Sequence, residues 1–344
     1  MTAQLPPPVR QGLSPSEQLL CEMFAAVLMV ERVGPDDDFF QLGGHSMLAV
    51  RLQRRLRPLV SGRLGVQDVL RYRTPRALAA RLGQQGEEDR TDPLLALRAT
   101  GDGVPLFCVH PILGLSWSYA ALLPHLSAHE PLYGLQSTGD NATSHRTLDD
   151  LAEEYVERVR RVQPDGPYRL VGWSLGGLIA QAMATSLQRR NEWVALLALI
   201  DAYPVSVFTG DRDAGVLDSL LDSVSLVNRR GSVLGRAGVA AALHEATGLA
   251  DADRLVDAAL ANDRLVRDRT PHEFHGDLLF FSALKGRPHG LHAGLWQPTV
   301  TGTIREHQVH AAHHDMLRSP AVGEVGRVIA RELADGTDHS PPGW

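Results

Sequence analysis

Gly172-Trp173-Ser174-Leu175-Gly176 sets a hydroxyl between two glycines in the spacing G-x-S-x-G. A serine hydroxyl is a weak nucleophile. It attacks a carbonyl only beside a base and with N–H donors aimed at the developing oxyanion. Acyl transfer is the chemistry such a set performs, and an acid and a histidine should follow in chain order. Asp201 closes the apolar run Ala195–Ile200 and is the candidate acid; Asp277 and Asp315 are rivals, but neither ends a strand pattern. For the base, residues 305–317 offer His307, His310, His313 and His314. His307 falls inside a strand pattern, and the other three fall on the loop expected after it. Local physics does not choose between His313 and His314. A metal site is the other chemistry for clustered histidines, but no cysteine or acidic ligand joins them in a metal-binding spacing. The oxyanion donors should be the backbone N–H of Leu175, just after the nucleophile, and that of Ile112 in His110-Pro111-Ile112-Leu113-Gly114. His110 reads as structural, because it precedes a rigidifying proline.

These residues need a sheet to carry them. From Pro105 onward, short apolar strands (PLFCVH, PLYGL, YRLVGW, ALLALID, DLLFFSAL, IREHQV) alternate with amphipathic helices, one opened by Thr147-x-x-Asp150. Alternation of this kind predicts a mostly parallel sheet covered by helices on both faces. YRLVGW is a strand immediately before Ser174 and LGGLIAQAMATSLQRR a helix immediately after it, which is the context an elbow requires. Residues 204–270 interrupt the pattern with helical segments only, and an insertion of that length reads as a lid.

The first part of the chain has a different texture. Residues 1–13 are proline-rich and read as linker. Ser14-Pro15-Ser16-Glu17 is a capping box with proline at the first helical position. Helices are predicted from there to before Gly34-Pro35, from Ser46 to about Leu59, and from Thr74-Pro75 to about Leu82. Residues 14–82 are expected to form a small all-α, four-helix bundle, three of whose helices are those placed by these patterns. Residues 83–96 are charged, glycine-containing and aperiodic, which marks a second linker. Within the bundle, Asp38-Phe39-Phe40-Gln41-Leu42-Gly43-Gly44-His45-Ser46 places Ser46 at a helix N-terminus, where unpaired N–H groups and the helix dipole favour an anion such as a phosphodiester.

That string resembles the signature of peptidyl carrier domains of nonribosomal peptide synthetases, an aromatic pair followed by L-G-G-H/D-S. The resemblance covers residues 14–82. It implies a 4′-phosphopantetheine arm on Ser46, a phosphopantetheinyl transferase that installs it, and upstream condensation and adenylation domains. Residues 97–336 resemble the type I thioesterases that end such synthetases, an α/β-hydrolase fold: F-C-x-H-P, G-W-S-L-G-G, L-I-D and A-H-x-D-M occur in order. By that resemblance the base is His313, two residues before Asp315, with His314 next in line. Ile112-Leu113 depart from the small residues that often follow the H-P pair. The implied activity is chain release, with a peptidyl thioester passed to Ser174 and then hydrolysed or cyclised. Transfer to an external nucleophile, or a carrier scaffold bearing an inactive hydrolase, are the rival readings. Arg51, Arg54, Arg55 and Arg57 form a basic helix face that either docks partner domains or is simply solvated.

Composition fits this reading. Hydrophobic residues are 44% and charged residues 22% of 344, and a chain of that length suits two domains. A net charge of −6 gives no electrostatic footing for nucleic acid or an anionic membrane. No apolar run approaches the ~20 residues of a membrane span, and no signal-peptide pattern opens the chain. Cys21 and Cys108 lie in apolar contexts and are expected to be buried free thiols, consistent with a cytoplasmic setting. Residues 337–344 read as a disordered tail.

Overall fold

The computed structural model describes residues 13–44, 46–56, 64–83, 94–137, 147–204, 235–247, 252–267 and 271–335. The chain divides into two compact units, residues 1–88 and 89–344.

The first unit contains α1 (Pro15–Leu28), α2 (Ser46–Leu56), α3 (Val66–Arg71) and α4 (Pro75–Gly83). The capping box forms: the Glu17 N–H donates to Ser14 Oγ at 3.2 Å, and the Ser14 N–H donates to Glu17 Oε2 at 2.8 Å. α1 ends at Leu28, ahead of Gly34-Pro35, because Met29 adopts a left-handed conformation with φ 56°. The loop into α2 is anchored by its first aromatic. Phe39 is fully buried, meets Phe24 edge-on at 5.3 Å, and its N–H donates to the Arg73 carbonyl at 2.9 Å. Gly44 folds back so that its N–H donates to the Phe39 carbonyl at 2.8 Å; a Cβ at Gly44 would overlap the Phe39 ring. α3 is a short helix that the sequence did not announce. Its entry is held by Asp68, whose Oδ2 accepts from the Gly65 N–H at 2.7 Å.

The second unit is a seven-stranded sheet in the order β1-β3-β2-β4-β5-β6-β7. β1 (Leu94–Arg98) runs antiparallel to β3 (Leu132–Leu135). All other pairings are parallel, through β2 (Leu106–Val109), β4 (Tyr168–Trp173), β5 (Val194–Ile200), β6 (Leu278–Lys285) and β7 (Ile304–Ala312). Two boundaries correct the sequence reading. β1 begins at Leu94, inside the stretch read as a linker over 83–96. β7 runs on to Ala312, so His310 is an exposed strand residue and not part of an exit loop. α5 (Leu148–Val162) and α6 (Leu175–Arg189) pack together. α5 buries one stripe, Leu148, Leu151, Ala152, Tyr155, Val156 and Val159, whereas α6 is buried from Leu175 through Leu187. That is the difference between an amphipathic helix and one lodged in the core. α9 (Ala321–Asp335) follows β7. Arg169, on β4, donates to the Leu333 carbonyl of α9 at 3.2 Å and pairs with Glu130 at 3.5 Å.

Of the expected lid over 204–270, α7 (Arg236–Thr247) and α8 (Ala252–Arg267) are described, and they pack against each other. Residues 205–234, 248–251 and 268–270 of that stretch, the linker over 1–12 and the tail over 337–344 lie outside the described residues. Cys21 and Cys108 are buried thiols with no disulfide between them. Among the described residues, no helix is long and apolar enough to cross a membrane, and no group of side chains is arranged to hold a metal ion.

Candidate active site

The parallel strands β4 and β5 end side by side, and the site is built at those ends. Ser174 follows β4 with φ 57° and ψ −127°, a strained conformation for a residue with a Cβ. Its N–H donates to the Ile200 carbonyl at 3.0 Å and its carbonyl accepts from the Gly177 N–H at 2.9 Å, so the strain is held from both sides. Gly176 is obligatory here, since a Cβ would overlap the Val109 carbonyl where α6 crosses β2.

His313 Nε2 lies 3.0 Å from Ser174 Oγ, and His313 Nδ1 lies 2.7 Å from Asp201 Oδ2. Asp201 follows β5 with φ 45° and is 8% exposed. Its second oxygen, Oδ1, accepts from the Ala283 N–H at 3.0 Å and from the Tyr203 hydroxyl at 3.0 Å. Burial and the Asp201 charge push the Tyr203 phenol up to about 12, so it remains a donor. With Nδ1–H donating to the carboxylate, Nε2 is free to accept the Ser174 proton. The competing residues lie elsewhere. His314 faces Asp315 at 3.5 Å, Asp315 pairs with Arg318 at 3.2 Å, and Asp277 accepts from the Thr303 N–H at 2.8 Å. His307 packs against Phe281 at 5.8 Å.

Trp173 and Tyr119 were not singled out from the sequence. The Trp173 indole N–H donates to the His313 carbonyl at 3.2 Å, and its ring lies 5.6 Å from the imidazole. Tyr119 is fully buried. Its hydroxyl donates to the Val109 carbonyl at 2.7 Å and accepts from the Trp173 N–H at 2.6 Å, bridging β2 and β4 where they diverge. We expect Tyr119→Phe to strand both backbone groups and lower the unfolding free energy by roughly 2–4 kcal/mol. Denaturant melts with an unchanged slope would measure it.

The loop after β2 is similarly over-determined. The Pro111 carbonyl accepts from the Gly114 N–H at 2.9 Å and from His110 Nδ1 at 2.8 Å, while His110 Nε2 accepts from the Tyr155 hydroxyl at 2.8 Å. Pinning that carbonyl fixes the plane of the Pro111–Ile112 peptide, and hence the direction of the Ile112 N–H. That N–H has no partner among the described residues. Leu175 is the first residue of α6, so its N–H has no acceptor within the helix.

Burial lowers the His110 pKa to about 4, below its ordinary 6.5. Between those values the unfolded chain binds the proton that the folded chain refuses. The His110 contribution is therefore complete above pH 6.5 and is lost as pH falls toward 4, by roughly 3 kcal/mol. His110→Asn should remove that step from a plot of stability against pH, measured by denaturant titration of both proteins.

In the helical unit, Ser46 is the first residue of α2, a helix of 11 residues. The N–H groups of that first turn have no acceptor within the helix. On the basic face, Arg51, Arg54 and Arg55 are exposed, and Arg57 lies outside the described residues.

A serine on the elbow after β4, an aspartate after β5 and a histidine after β7, at one edge of a mostly parallel sheet, is the arrangement of an α/β-hydrolase domain. Residues 104–332 match the thioesterase domain family, and the chain belongs to it. Residues 18–82 match the phosphopantetheine attachment site family. A dimodular nonribosomal peptide synthase of Bacillus subtilis (strain 168) is 36% identical over 337 residues, which is 94% of this chain and 14% of that protein. The fold is also similar to a four-domain nonribosomal peptide synthetase, holo-AB3403, bound to AMP and glycine. That likeness has a TM-score of 0.65 and 27% identity over 95% of this chain and 27% of the other. The NocB thioesterase domain, in covalent complex with a fluorophosphonate nocardicin G analogue, gives a TM-score of 0.51 and 26% identity over 68% of this chain and 96% of the other. This chain therefore spans a small part of the length of the synthetases it matches.

Proposed function

We propose that this chain releases a peptidyl group in nonribosomal peptide synthesis, with Ser174, His313 and Asp201 as its catalytic triad and Ser46 as the attachment point of 4′-phosphopantetheine. The observation that carries the reading is the continuous hydrogen-bonded path from Ser174 Oγ through His313 to Asp201, at 3.0 and 2.7 Å.

An arm on Ser46 supplies the acyl group as a thioester, a linkage already activated toward acyl transfer. His313 Nε2 takes the Oγ proton as Ser174 attacks the thioester carbonyl, and Asp201 stabilises the imidazolium. The Ile112 and Leu175 N–H groups receive the oxyanion. His313 then returns the proton to the departing sulfur as the C–S bond breaks, leaving an ester on Ser174. Water, or an amine or hydroxyl of the peptide itself, gives its proton to His313 and attacks that ester. The ester bond to Oγ breaks and Ser174 recovers its proton. α7 and α8 of the lid limit the water that reaches the ester. The partners this reading calls for are upstream condensation and adenylation domains and a phosphopantetheinyl transferase, in the cytoplasm.

Two mass-spectrometric assays test these assignments. Incubation with a fluorophosphonate should place one adduct on Ser174, and a phosphopantetheinyl transferase with coenzyme A should place one arm on Ser46. An adduct on another serine, or an arm retained by Ser46→Ala, would refute the corresponding assignment.

A further inference from the structure

β5, β6 and β7 run parallel and adjacent, so their C-terminal ends share one edge of the sheet. β5 delivers Asp201 to that edge and β7 delivers His313. β6 lies between them and delivers no member of the triad. Its last residue, Lys285, pairs with Ala312, the residue just before His313. Asp201 is sewn to the same strand. Its N–H donates to the Phe281 carbonyl at 2.7 Å, and its Oδ1 accepts from the Ala283 N–H at 3.0 Å.

Ser282, between those two contacts, is fully buried, and its hydroxyl donates to Glu306 Oε1 on β7. Arg287 approaches the same oxygen from the turn after β6, where Gly286 takes a φ of 71°. Its Nη1 lies 3.7 Å from Glu306 Oε1, which is ion-pair range, and is buried with no hydrogen-bond partner. The cation is therefore only loosely neutralised. Its field reaches the triad through Tyr203, whose hydroxyl donates to Asp201 Oδ1 at 3.0 Å. Burial and Asp201 raise the Tyr203 pKa, whereas Ser282 and Arg287 act on it in the opposite sense. The hydrogen bonds of Asp201 and His313 are complete without Arg287 or Glu306, so the pair is not needed to assemble the triad.

We propose that Arg287 and Glu306 are positioning residues that set the proton affinity of His313: the arginine cation opposes the imidazolium that Asp201 favours, and the Glu306 carboxylate tempers that opposition. Only a neutral imidazole can take the Ser174 proton, so the pair decides how low the pH can fall before the site loses its base. This rests on the acyl-transfer reading of Ser174. His313 also faces Asp201 and Tyr203 from the end of β5, Ser174 from the elbow, and His314, Asp315 and Arg318 on its own segment. Asp315 and Arg318 pair with each other at 3.2 Å, and Lys285 on β6 is exposed, where solvent screens it.

The test follows kcat/KM for release of N-acetylalanyl pantetheine, an uncharged thioester, by the whole chain from about pH 5 to 9. The acid limb of that profile reports the base of the free enzyme. Arg287→Met removes the opposing cation, so the limb should move up by about half a pH unit, the scale of a partly exposed charge that is not in contact. Glu306→Gln keeps an acceptor for Ser282 but leaves the cation unopposed, so the limb should move down by a similar amount. Arg287→Lys keeps the charge and should stay with wild type. Loosened packing would lower the whole profile without moving the limb in opposite directions. A limb unmoved in both charge-removing variants, or moved the same way by both, would overturn the proposal. So would an Arg287→Lys limb shifted as far as that of Arg287→Met. If wild type releases the thioester no faster than Ser174→Ala at any pH, the acyl-transfer reading itself falls, a result distinct from an active enzyme whose limb does not move.

Discussion

Ser174→Ala should lower the rate of acyl release by about 10⁴–10⁶ while leaving the fold intact. Only Oγ is lost. The backbone at position 174 keeps its hydrogen bonds to Ile200 and Gly177, and alanine meets the same φ of 57° as serine, so no new strain enters. His313 and Asp201 remain paired at 2.7 Å and the oxyanion donors stay in place, but no nucleophile is left to use them. What remains is water attack on a bound thioester. His313→Ala should cost a similar factor, and the double variant little more than either alone, because nucleophile and base act as a unit. Single-turnover release of acyl pantetheine by the three proteins would measure this; additive losses would contradict it.

Asp201→Asn should reduce kcat by roughly 10⁴ through the tautomer it enforces. Asp201 Oδ1 accepts from two donors, the Ala283 N–H and the Tyr203 hydroxyl, each at 3.0 Å. An asparagine in that position must turn its carbonyl oxygen toward them, which directs its NH2 at His313. Nδ1 then becomes the acceptor and Nε2 carries the proton, so the imidazole can no longer take one from Ser174. Tyr203→Phe in the Asp201→Asn background removes one of the two donors holding that orientation, and should restore part of the lost rate. No recovery would mean that the Ala283 N–H alone fixes the amide.

The parts of this site that could be read from the sequence are those fixed by local chemistry. The elbow was visible because a strand pattern, two glycines and a helix pattern flank Ser174 without interruption. Asp201 was visible because it closes an apolar run. His313 was not distinguishable from His314 by local pattern, since adjacent residues on a loop differ only in where the fold points them. His310 was misplaced because β7 is an edge strand whose last residues lack the continuous hydrophobicity of β4 or β5. β1 escaped notice because a five-residue, alternately buried strand beside a charged stretch leaves little signal. Tyr119 and Trp173 meet across 54 residues of chain, and Asn262 reaches Ile112 across 150. No short-range rule connects residues so far apart. They become neighbours only once the sheet order and the lid are known.

The central claim is that what Ser46 carries is released by Ser174. The most direct measurement loads Ser46 with an acyl-pantetheine, using a phosphopantetheinyl transferase and acyl coenzyme A, and follows the intact protein by mass spectrometry. Wild type should lose the acyl mass while keeping the arm, and Ser174→Ala should retain the acyl-loaded mass over the same period. Release at the same rate from both proteins would contradict the account.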